Sequence, residues 1–411
     1  MSTYSPSSSQ FNESGIPTLP VSELKHNAHE IYRHFRSKFP FILSETGAFL
    51  VLRGDDVVSL YGDTKTRQIE TELLSLRGIN DGPMWDTMKN GMLTSNGEVH
   101  RRRRAPMTRT FAFKMIAALR PHVRQTVTEL VDSFASKGEM EFLEDFATPI
   151  PARIIASILN LPKEDIPRFT DIVYRFSPIL GAAYPAEDVP KLQRAAAELW
   201  QYVADLLEAR RPEKGNDFLS LYIAATDEGD TLSPDEVIAQ MMSLIIGGSD
   251  TTRAALVIQL AALLKNPEQW RVLVETPDLI PNAVLECLRY EPSVASVSRF
   301  TIGDLELDGR ILPANRVCTL STMSALRDEA WYHDPDRLDI TREQPKWHPV
   351  FGGGAHRCLG EALAKAELEE TLSMLVERFP DIKAMGAFPK VIGYSGIRQV
   401  ESFPVSLGRR H

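Results

Sequence analysis

The stretch Phe351–Gly360, FGGGAHRCLG, decides how the rest of the chain is interpreted. The sequence after it, LGEALAKAELEETLSMLVERF, is typical of a helix, so Cys358 is predicted at a helix N-terminus, where the dipole favours an anion. The glycines let the backbone approach closely, so that main-chain N–H groups can point at sulfur. His356 and Arg357 add positive charge nearby. These features favour a thiolate at Cys358, and a thiolate is a strong ligand for iron.

Other roles for a cysteine have to be weighed against this one. A lone cysteine is more often a small buried hydrophobic residue, which is how we interpret Cys287 and Cys318, because they lack such surroundings. Three cysteines at this spacing suit neither a disulfide framework nor a zinc site nor a CxxC pair. A nucleophilic Cys358 with His356 as its base is an alternative. A single thiolate is a sufficient ligand for haem iron, because the porphyrin fills the four equatorial positions.

The composition of the chain restricts its class. It has 411 residues, of which 43% are hydrophobic, so a sizeable core can form. The net charge of −9 argues against general nucleic-acid binding. Few cysteines favour a reducing, cytoplasmic setting. Residues 1–18 are Ser- and Pro-rich without the pattern of a secretion signal, which predicts a flexible N-terminal tail before a single domain over 19–411.

A long helix is predicted in the second half of the chain. Residues 233–236, SPDE, form a capping box with proline at the first helical position, and Pro267 marks a stop. A helix over 234–265 is about 48 Å long. It is apolar on most faces and should therefore cross the core of the domain. Membrane insertion is the competing interpretation, which Gln240, Asp250, Arg253 and Gln259 make expensive.

The middle of this helix, GGSDTT at 247–252, departs from helical preferences. Its two glycines cost about 2 kcal/mol relative to alanine. One interpretation is a kink or close helix packing at Gly247 and Gly248. The other is a helix opened beside a ligand, with an acid and a hydroxyl directed at it. Breaches of local rules tend to fall at functional sites.

These residues resemble the cytochrome P450 family, the haem-thiolate monooxygenases. FGGGAHRCLG matches the family's cysteine loop, FxxGxxxCxG, and GGSDTT is similar to its oxygen-activation motif. ECLR matches the family's ExxR motif at Glu286 and Arg289. DPDRL (334–338) resembles its Pro-x-Arg-Phe segment, with Leu338 replacing the aromatic residue. The motifs appear in the family's order over nearly the whole chain after the tail, and the N-terminus resembles that of soluble bacterial members.

The resemblance implies a mainly α fold with a minor β region, in which haem b lies between the central helix and the cysteine loop. Cys358 would be the axial iron ligand, its thiolate pushing electron density toward O–O cleavage. Asp250 would relay protons and Thr251, in preference to Thr252, would hydrogen-bond oxygen or a water. Gly247 and Gly248 would leave room for dioxygen. Phe351 and Gly352 would belong to the cofactor-binding loop.

Further residues are assigned by the same resemblance. The haem propionates need cationic partners, for which the candidates are His100 and Arg104, four apart on a predicted helix, together with Arg299 and His356. Glu286 and Arg289 would form a buried network with Arg337 that holds the cysteine loop, with Arg342 as the fallback third member. Without the resemblance, this pair would be an ordinary surface ion pair.

An electron donor is also implied. HRRRRAPMTR (100–109) is dense in positive charge, and its simplest interpretation is a solvated helix face. In the family this helix borders the surface where the donor docks. We therefore predict an acidic ferredoxin, reduced by NAD(P)H through a ferredoxin reductase, that docks near Arg101, Arg102, Arg103 and Arg357.

The substrate pocket is predicted to be apolar, so it favours a hydrophobic small molecule held by shape. Ordinary core packing explains any single member equally well, and Arg398 is the one candidate clamp for a substrate carboxylate. The reaction expected is insertion of one oxygen atom from O2, as hydroxylation, epoxidation or O-dealkylation. A peroxide-driven peroxygenase and a non-enzymatic haem protein are the alternatives, and the Asp250–Thr251 pair argues against the first. The pocket candidates are Met84, Trp85, Met88, Leu93, Ile179, Leu180, Ile246, Val294, Ala295 and Ile392.

Overall fold

The computed structural model describes residues 10–11, 15–111, 113–181, 184–213, 215–228 and 232–408. Within this part of the chain most residues are helical. The α-helices are α1 Val21–Arg36, α2 Gly54–Leu60, α3 Glu72–Ser75, α4 Gly82–Asn90, α5 Gly97–Thr110, α6 Phe113–Ala135, α7 Pro149–Ile158, α8 Ile166–Phe176, α9 Val189–Arg210, α10 Phe218–Asp227, α11 Pro234–Lys265, α12 Pro267–Glu275, α13 Ile280–Tyr290, α14 Thr322–Ala325 and α15 Glu361–Arg378. Shorter 3-10 and π turns lie between them at Phe142–Ala147, Lys163–Asp165, Ser177–Leu180, Ala186–Asp188, Pro277–Leu279, Pro349–Phe351 and Gly354–His356.

The strands are short, and most of them come from the two ends of the chain. They are β1 Gln10–Phe11, β2 Pro17–Leu19, β3 Phe41–Ser44, β4 Phe49–Val51, β5 Thr66–Gln68, β6 Glu139–Glu141, β7 Val294–Thr301, β8 Leu305–Leu307, β9 Arg310–Leu312, β10 Val317–Ser321, β11 Lys383–Ala384, β12 Val391–Ile392, β13 Gly396–Ile397, β14 Gln399–Val400 and β15 Pro404–Ser406.

The chain forms two compact units, each assembled from separate segments. The first unit comprises residues 1–68, 257–358 and 387–401, and the second comprises 69–256, 359–386 and 402–411. The single domain predicted after residue 18 remains a prediction.

The first unit is built around the main sheet. Its strand order is β1-β2-β3-β4-β10-β7-β13, and β5 pairs with β7. Alternate apolar side chains of the strands, such as Phe41 and Leu320, are fully buried in its core. Because β2 pairs with both β1 and β3, part of the segment predicted as a loose tail belongs to this sheet. Residues 1–9 and 12–14 of that segment lie outside the described residues.

The second unit is mainly helical. Pairs of helices pack closely in it: α6 with α15, α4 with α9, and α8 with both α7 and α9. The α11 helix is continuous from Pro234 to Lys265, as the capping box and Pro267 predicted, and its residues up to 256 belong to this unit. Among the described residues, no helix is both long and apolar enough to span a membrane.

Candidate active site

The segment before Cys358 is a closed turn in the first unit. Two short 3-10 helices, Pro349–Phe351 and Gly354–His356, precede the cysteine. The Cys358 amide donates a hydrogen bond to the carbonyl oxygen of Phe351 at 2.8 Å, which closes the turn. Cys358 itself is exposed and therefore accessible to a ligand. Helix α15 begins at Glu361, which confirms the helix predicted just after Cys358.

The glycines of this turn serve its conformation and its packing. Gly352 has φ of +68°, a conformation that side chains rarely adopt. A Cβ on Gly353 would lie 2.9 Å from the Tyr61 ring, and one on Gly354 would lie 2.6 Å from the Tyr61 carbonyl oxygen. The glycines therefore fit the turn against Tyr61, a reason that the sequence alone did not reveal.

Arg357 folds back over its own segment. Its guanidinium donates to the Gly352 carbonyl oxygen at 3.3 Å and lies 5.6 Å from the centre of a Trp347 ring. The residue is half-buried, as is His356. Arg357 thus stabilises the turn before Cys358 as well as adding positive charge to it.

Arg299 is a buried cation on β7. The residue is 3% exposed, and its Nη1 has no hydrogen-bond partner among the described residues. Burial lowers the pKa of its guanidinium. A buried charge is costly unless an opposite charge accompanies it. The surroundings of Arg299 therefore suit an anionic ligand group.

Glu286 and Arg289 form a fully buried ion pair on α13. The Arg289 guanidinium donates to both carboxylate oxygens, at 2.8 and 2.9 Å, and neither side chain is exposed. The third member of the network is Arg342, whose Nε donates to Glu286 at 3.2 Å. The prediction of Arg337 is wrong, because its side chain is exposed and only its carbonyl oxygen accepts from Arg289.

The centre of α11, in the second unit, combines an open face with a packed one. A Cβ on Gly247 would meet nothing within 4 Å, whereas one on Gly248 would lie 2.9 Å from Cδ1 of Ile155. The Thr251 hydroxyl donates to the Gly247 carbonyl oxygen at 3.0 Å, while Thr252 is buried. Gly247 therefore leaves open space as predicted. Gly248 does not, because it lets α7 pack closely.

Asp250 has a cationic partner on its own helix. Its carboxylate accepts a hydrogen bond from Arg253 at 2.5 Å, and the Arg253 guanidinium lies 4.4 Å from the centre of the Tyr174 ring. The Tyr174 hydroxyl donates in turn to the Thr148 carbonyl oxygen at 2.8 Å. Asp250 is therefore held through contacts that reach α8 and the start of α7. The sequence placed Asp250 and Arg253 three residues apart but gave no sign of Tyr174.

The α5 helix carries the remaining predicted cofactor residues. His100 is buried and Arg104 is half-buried, one turn further along the same helix. Their spacing puts both side chains on one face, as predicted.

Comparison with known proteins decides the family. The cytochrome P450 family model matches residues 83–276 and 278–382. The plant-inducible cytochrome P450-pinF1 of Rhizobium radiobacter is 41% identical over 396 residues, which cover 96% of this chain and 94% of that protein. The chain belongs to the cytochrome P450 family.

Other members of the family support this assignment and the fold of this P450. The mycinamicin IV hydroxylase/epoxidase of Micromonospora griseorubida is 33% identical over 341 residues, covering 82% of this chain and 83% of that protein. The solved structure of the P450 enzyme CxnD, described as acting in C–S bond formation in chuangxinmycin biosynthesis, has a TM-score of 0.86 and 29% identity, covering 98% of this chain and 99% of that one. The predicted family, the mainly α P450 fold and the enzyme class are thereby confirmed.

A haem-thiolate cofactor is typical of this family, and the residues of this P450 fit one. Cys358 is an exposed thiol on a closed turn, and Arg299 is a buried cation whose Nη1 has no hydrogen-bond partner among the described residues. The described residues include no group of three or more His, Cys, Asp or Glu side chains able to hold a metal ion by themselves.

The pocket candidates of this P450 differ in their surroundings. Ala295 is fully buried in a hydrophobic cluster of the first unit that also includes Met323, and its place in the pocket remains a prediction. Met84, Ile179 and Ile246 are also buried. The remaining candidates are half-buried, and their part in a pocket remains a prediction: Trp85, Met88, Leu93, Leu180, Val294 and Ile392.

Arg398 is not a substrate clamp. It is 6% exposed and forms an ion pair with Glu291. Its Nη2 also donates to the Val391 carbonyl oxygen at 3.1 Å. Glu291 also accepts a hydrogen bond from His29 at 3.0 Å, although His29 lies 262 positions away in the sequence. The sequence gave no indication of this network, because its members come from distant segments.

The arginines predicted to dock an electron donor are only partly available. Arg103 is buried and Arg102 is half-buried, and both bind the carboxylate of Glu236. The prediction of Arg103 as a docking residue is therefore wrong, since a buried side chain cannot contact a partner. Arg101 is exposed and pairs with its helical neighbour Glu98.

One buried acid in the second unit was missed. Glu367 on α15 is 1% exposed, and its Oε2 has no hydrogen-bond partner among the described residues. Burial raises the pKa of its carboxyl well above the ordinary value. Glutamate is common on helices, and only its buried position distinguishes this one.

Proposed function

We propose that this P450 is a monooxygenase that inserts one oxygen atom from O2 into a hydrophobic small organic molecule. The observation that carries the proposal lies on α11. An acid and a hydroxyl, Asp250 and Thr251, occur one turn from Gly247, where an added Cβ would meet open space. Peroxide-driven chemistry has no need of such a pair, whereas activation of O2 consumes protons.

The proposed roles fall to a few of the predicted residues. When bound through Cys358, haem b supplies the oxidising chemistry that activates O2 and oxygenates the substrate. The Cys358 thiolate is the ligand that holds it, and Arg299, His100, Arg104 and His356 neutralise its propionates. Thr251 holds a proton at its hydroxyl, and Asp250 replaces that proton from solvent. The Arg253 side chain keeps the Asp250 carboxylate in a defined orientation.

The substrate class follows from the apolar candidates. Trp85 and Met88 on α4 and Leu180 are half-buried and carry no charge. They favour a molecule recognised by shape. The mycinamicin relative is described as a hydroxylase/epoxidase, so the proposed reaction here is hydroxylation or epoxidation, with O-dealkylation as a variant of the first.

Electrons are proposed to come from NAD(P)H through a ferredoxin reductase and an acidic ferredoxin. Arg101 and Arg357 are the candidate contacts, with Arg102 weakened by its pairing with Glu236. A cytoplasmic location remains a prediction.

The test of the proposed function is spectroscopic. The purified protein is reduced in the presence of CO, and we expect a difference spectrum typical of thiolate ligation. Cys358→His should lose that band, while Cys318→Ser, a change at a buried cysteine of β10, should keep it. A band typical of histidine ligation in the unaltered protein would contradict the proposal.

Hydrophobic compounds are then screened for those that shift the haem iron from low to high spin. The compounds that bind are tested with ferredoxin, reductase and NAD(P)H. Turnover with peroxide alone, and none with this electron-transfer chain, would instead support a peroxygenase.

A further inference from the structure

The C-terminal end of α4 is held by side chains from two other helices of the second unit. The Arg103 Nη1 on α5 donates to the carbonyl oxygens of Lys89 at 2.9 Å and Gly91 at 3.4 Å. The Gln240 Nε2 on α11 donates to the carbonyl oxygen of Asn90 at 2.8 Å. Three successive carbonyl groups are therefore bound by side-chain donors. These groups lie at the C-terminal end of α4, where helix carbonyl oxygens have no partner within the helix and are bound by water or by capping groups.

The two donors are joined through Glu236. The Arg103 Nε donates to its carboxylate at 2.9 Å, and the Gln240 Nε2 donates to its carbonyl oxygen at 2.6 Å. Arg102 binds the same carboxylate with both terminal nitrogens, at 2.5 and 2.7 Å. We call Arg102, Arg103, Glu236 and Gln240 the α4 clasp.

Three members of the α4 clasp are buried, so their hydrogen bonds are strong and their geometry is fixed. Glu236 is 7% exposed, Arg103 is 8% exposed and Gln240 is fully buried. Charge-assisted hydrogen bonds away from water are the stronger kind, and a partner left unsatisfied there is costly.

The end of α4 also packs closely against its own last turn and against α11. A Cβ on Gly91 would lie 2.9 Å from the Thr87 carbonyl oxygen and 3.1 Å from the Ser243 hydroxyl. The Thr87 hydroxyl also points at the sulfur of Met242, 3.8 Å away on α11. The C-terminal end of α4 is thus fixed against α11 both by packing and by the clasp.

We propose that Arg103, Glu236 and Gln240 are positioning residues that set the substrate specificity of this P450 by fixing the end of α4. The inference rests on the proposed function, in which Trp85 and Met88 of α4 and Leu93 just beyond it border the substrate. None of the clasp side chains touches substrate in this proposal. Each acts through residues 89–91 at the end of α4, whose position decides how far these apolar side chains reach.

A different result is expected if the clasp is merely structural. Breaking it would then lower the stability of the protein and leave its preference among ligands unchanged. The ratio of two affinities separates these cases, because a loss of stability affects a small and a large ligand alike. A displaced α4 changes the binding of the large ligand alone.

The experiment uses the holoprotein and two ligands, imidazole and 4-phenylimidazole, which differ in size and bind with a visible spectral shift. Gln240→Met keeps the length of the side chain and removes both donated hydrogen bonds. Gln269→Met is the matched control, because Gln269 is a buried glutamine of the first unit that accepts from the Ile340 amide. Arg103→Lys is the second variant. Lysine keeps the charge beside Glu236 but cannot also reach the carbonyl groups of Lys89 and Gly91.

We expect Gln240→Met and Arg103→Lys to change the ratio of the two dissociation constants by about fivefold or more. Gln269→Met should keep the ratio of the unaltered protein even where it lowers the melting temperature. Hydrogen exchange of residues 84–93 should increase in the clasp variants alone, a readout that does not depend on the cofactor.

The proposal is overturned if both clasp variants retain thiolate-type CO spectra and a ratio within about twofold of that of the unaltered protein. It is equally overturned if Gln269→Met changes the ratio as much as they do. Failure of the proposed function looks different, because the unaltered protein would then lack the thiolate-type CO band.

Discussion

At the scale of single residues, Gly247 and Gly248 are neighbours with opposite surroundings. Gly247→Ala should stabilise the protein by up to about 1 kcal/mol, because alanine favours the helix and its methyl group meets open space. Gly248→Ala should destabilise it by roughly 1 kcal/mol, since crowding against Ile155 exceeds that gain. Urea unfolding of both variants in parallel measures the difference.

A second substitution tests whether Ile155 causes the crowding at position 248. Ile155→Val removes the Cδ1 atom that an alanine at 248 would meet. The double variant should therefore lose less stability than the sum of the two single variants. Equal effects of alanine at 247 and at 248 would contradict the assignment of open space to the first position and packing to the second.

The buried carboxyl of Glu367 should make the stability of the protein depend on pH. Burial raises the pKa of its carboxyl well above the ordinary 4.5, so the folded protein keeps a proton that the unfolded chain releases. This contribution to stability is complete below about pH 4.5 and is lost as the pH rises toward the raised pKa of the folded state. Glu367→Gln cannot ionise and should remove that loss.

The measurement is the free energy of unfolding of both proteins between about pH 5 and pH 8. We expect the free energy of unfolding of Glu367→Gln, relative to that of the unaltered protein, to increase as the pH rises. Glu377→Gln, an exposed change on the same helix, should show no such trend. Parallel curves for Glu367→Gln and the unaltered protein would show that Glu367 ionises normally.

At the scale of elements, the network on α13 separates two arginines that look alike in the sequence. Arg342 binds the buried carboxylate of Glu286 and the carbonyl oxygen of His333, whereas the Arg337 side chain is exposed. Arg342→Ala should cost roughly 2–3 kcal/mol, because it removes one of the cations that accompany a buried charge. Arg337→Ala should change stability by about 0.5 kcal/mol or less. Urea unfolding of the two alanine variants tests this, and a larger loss for Arg337→Ala would restore the original prediction.

Elements whose signals are local were predictable from the sequence. The long helix begins at Pro234 and ends at Lys265 as predicted, and the Glu236 amide bonds the Ser233 hydroxyl in the predicted capping box. Both ends are specified by neighbouring residues. The start of α15 after Cys358 is specified in the same way.

Contacts between distant segments were not predictable. Nothing near Arg398 in the sequence points to Glu291, which lies 107 positions away. The choice of Arg342 over Arg337 likewise depends on the path of the chain after α13, which no local pattern encodes. The density of arginines on α5 correctly predicted positive charge, but not that Glu236 neutralises part of it.

At the scale of the whole molecule, the net charge of −9 bears on the proposed electron donor. An acidic ferredoxin is repelled by the molecule as a whole, so its docking requires local positive charge. Arg101 is exposed and paired with an exposed glutamate, a kind of pair that costs little to break. Arg357 stays half-buried beside Trp347. These two residues should therefore steer the donor, with Arg102 contributing less.

Stopped-flow reduction by an acidic ferredoxin at several salt concentrations measures this steering. Arg101→Gln and Arg357→Gln should each lower the rate at low salt by about two- to fivefold and flatten its dependence on salt, because a steering charge is lost. Arg211→Gln removes an exposed arginine that is also paired with an acid, Asp227, and should leave both quantities unchanged. An equal loss in all three variants would indicate that only the overall charge matters. The donor would then dock without a specific contact to Arg101 or Arg357.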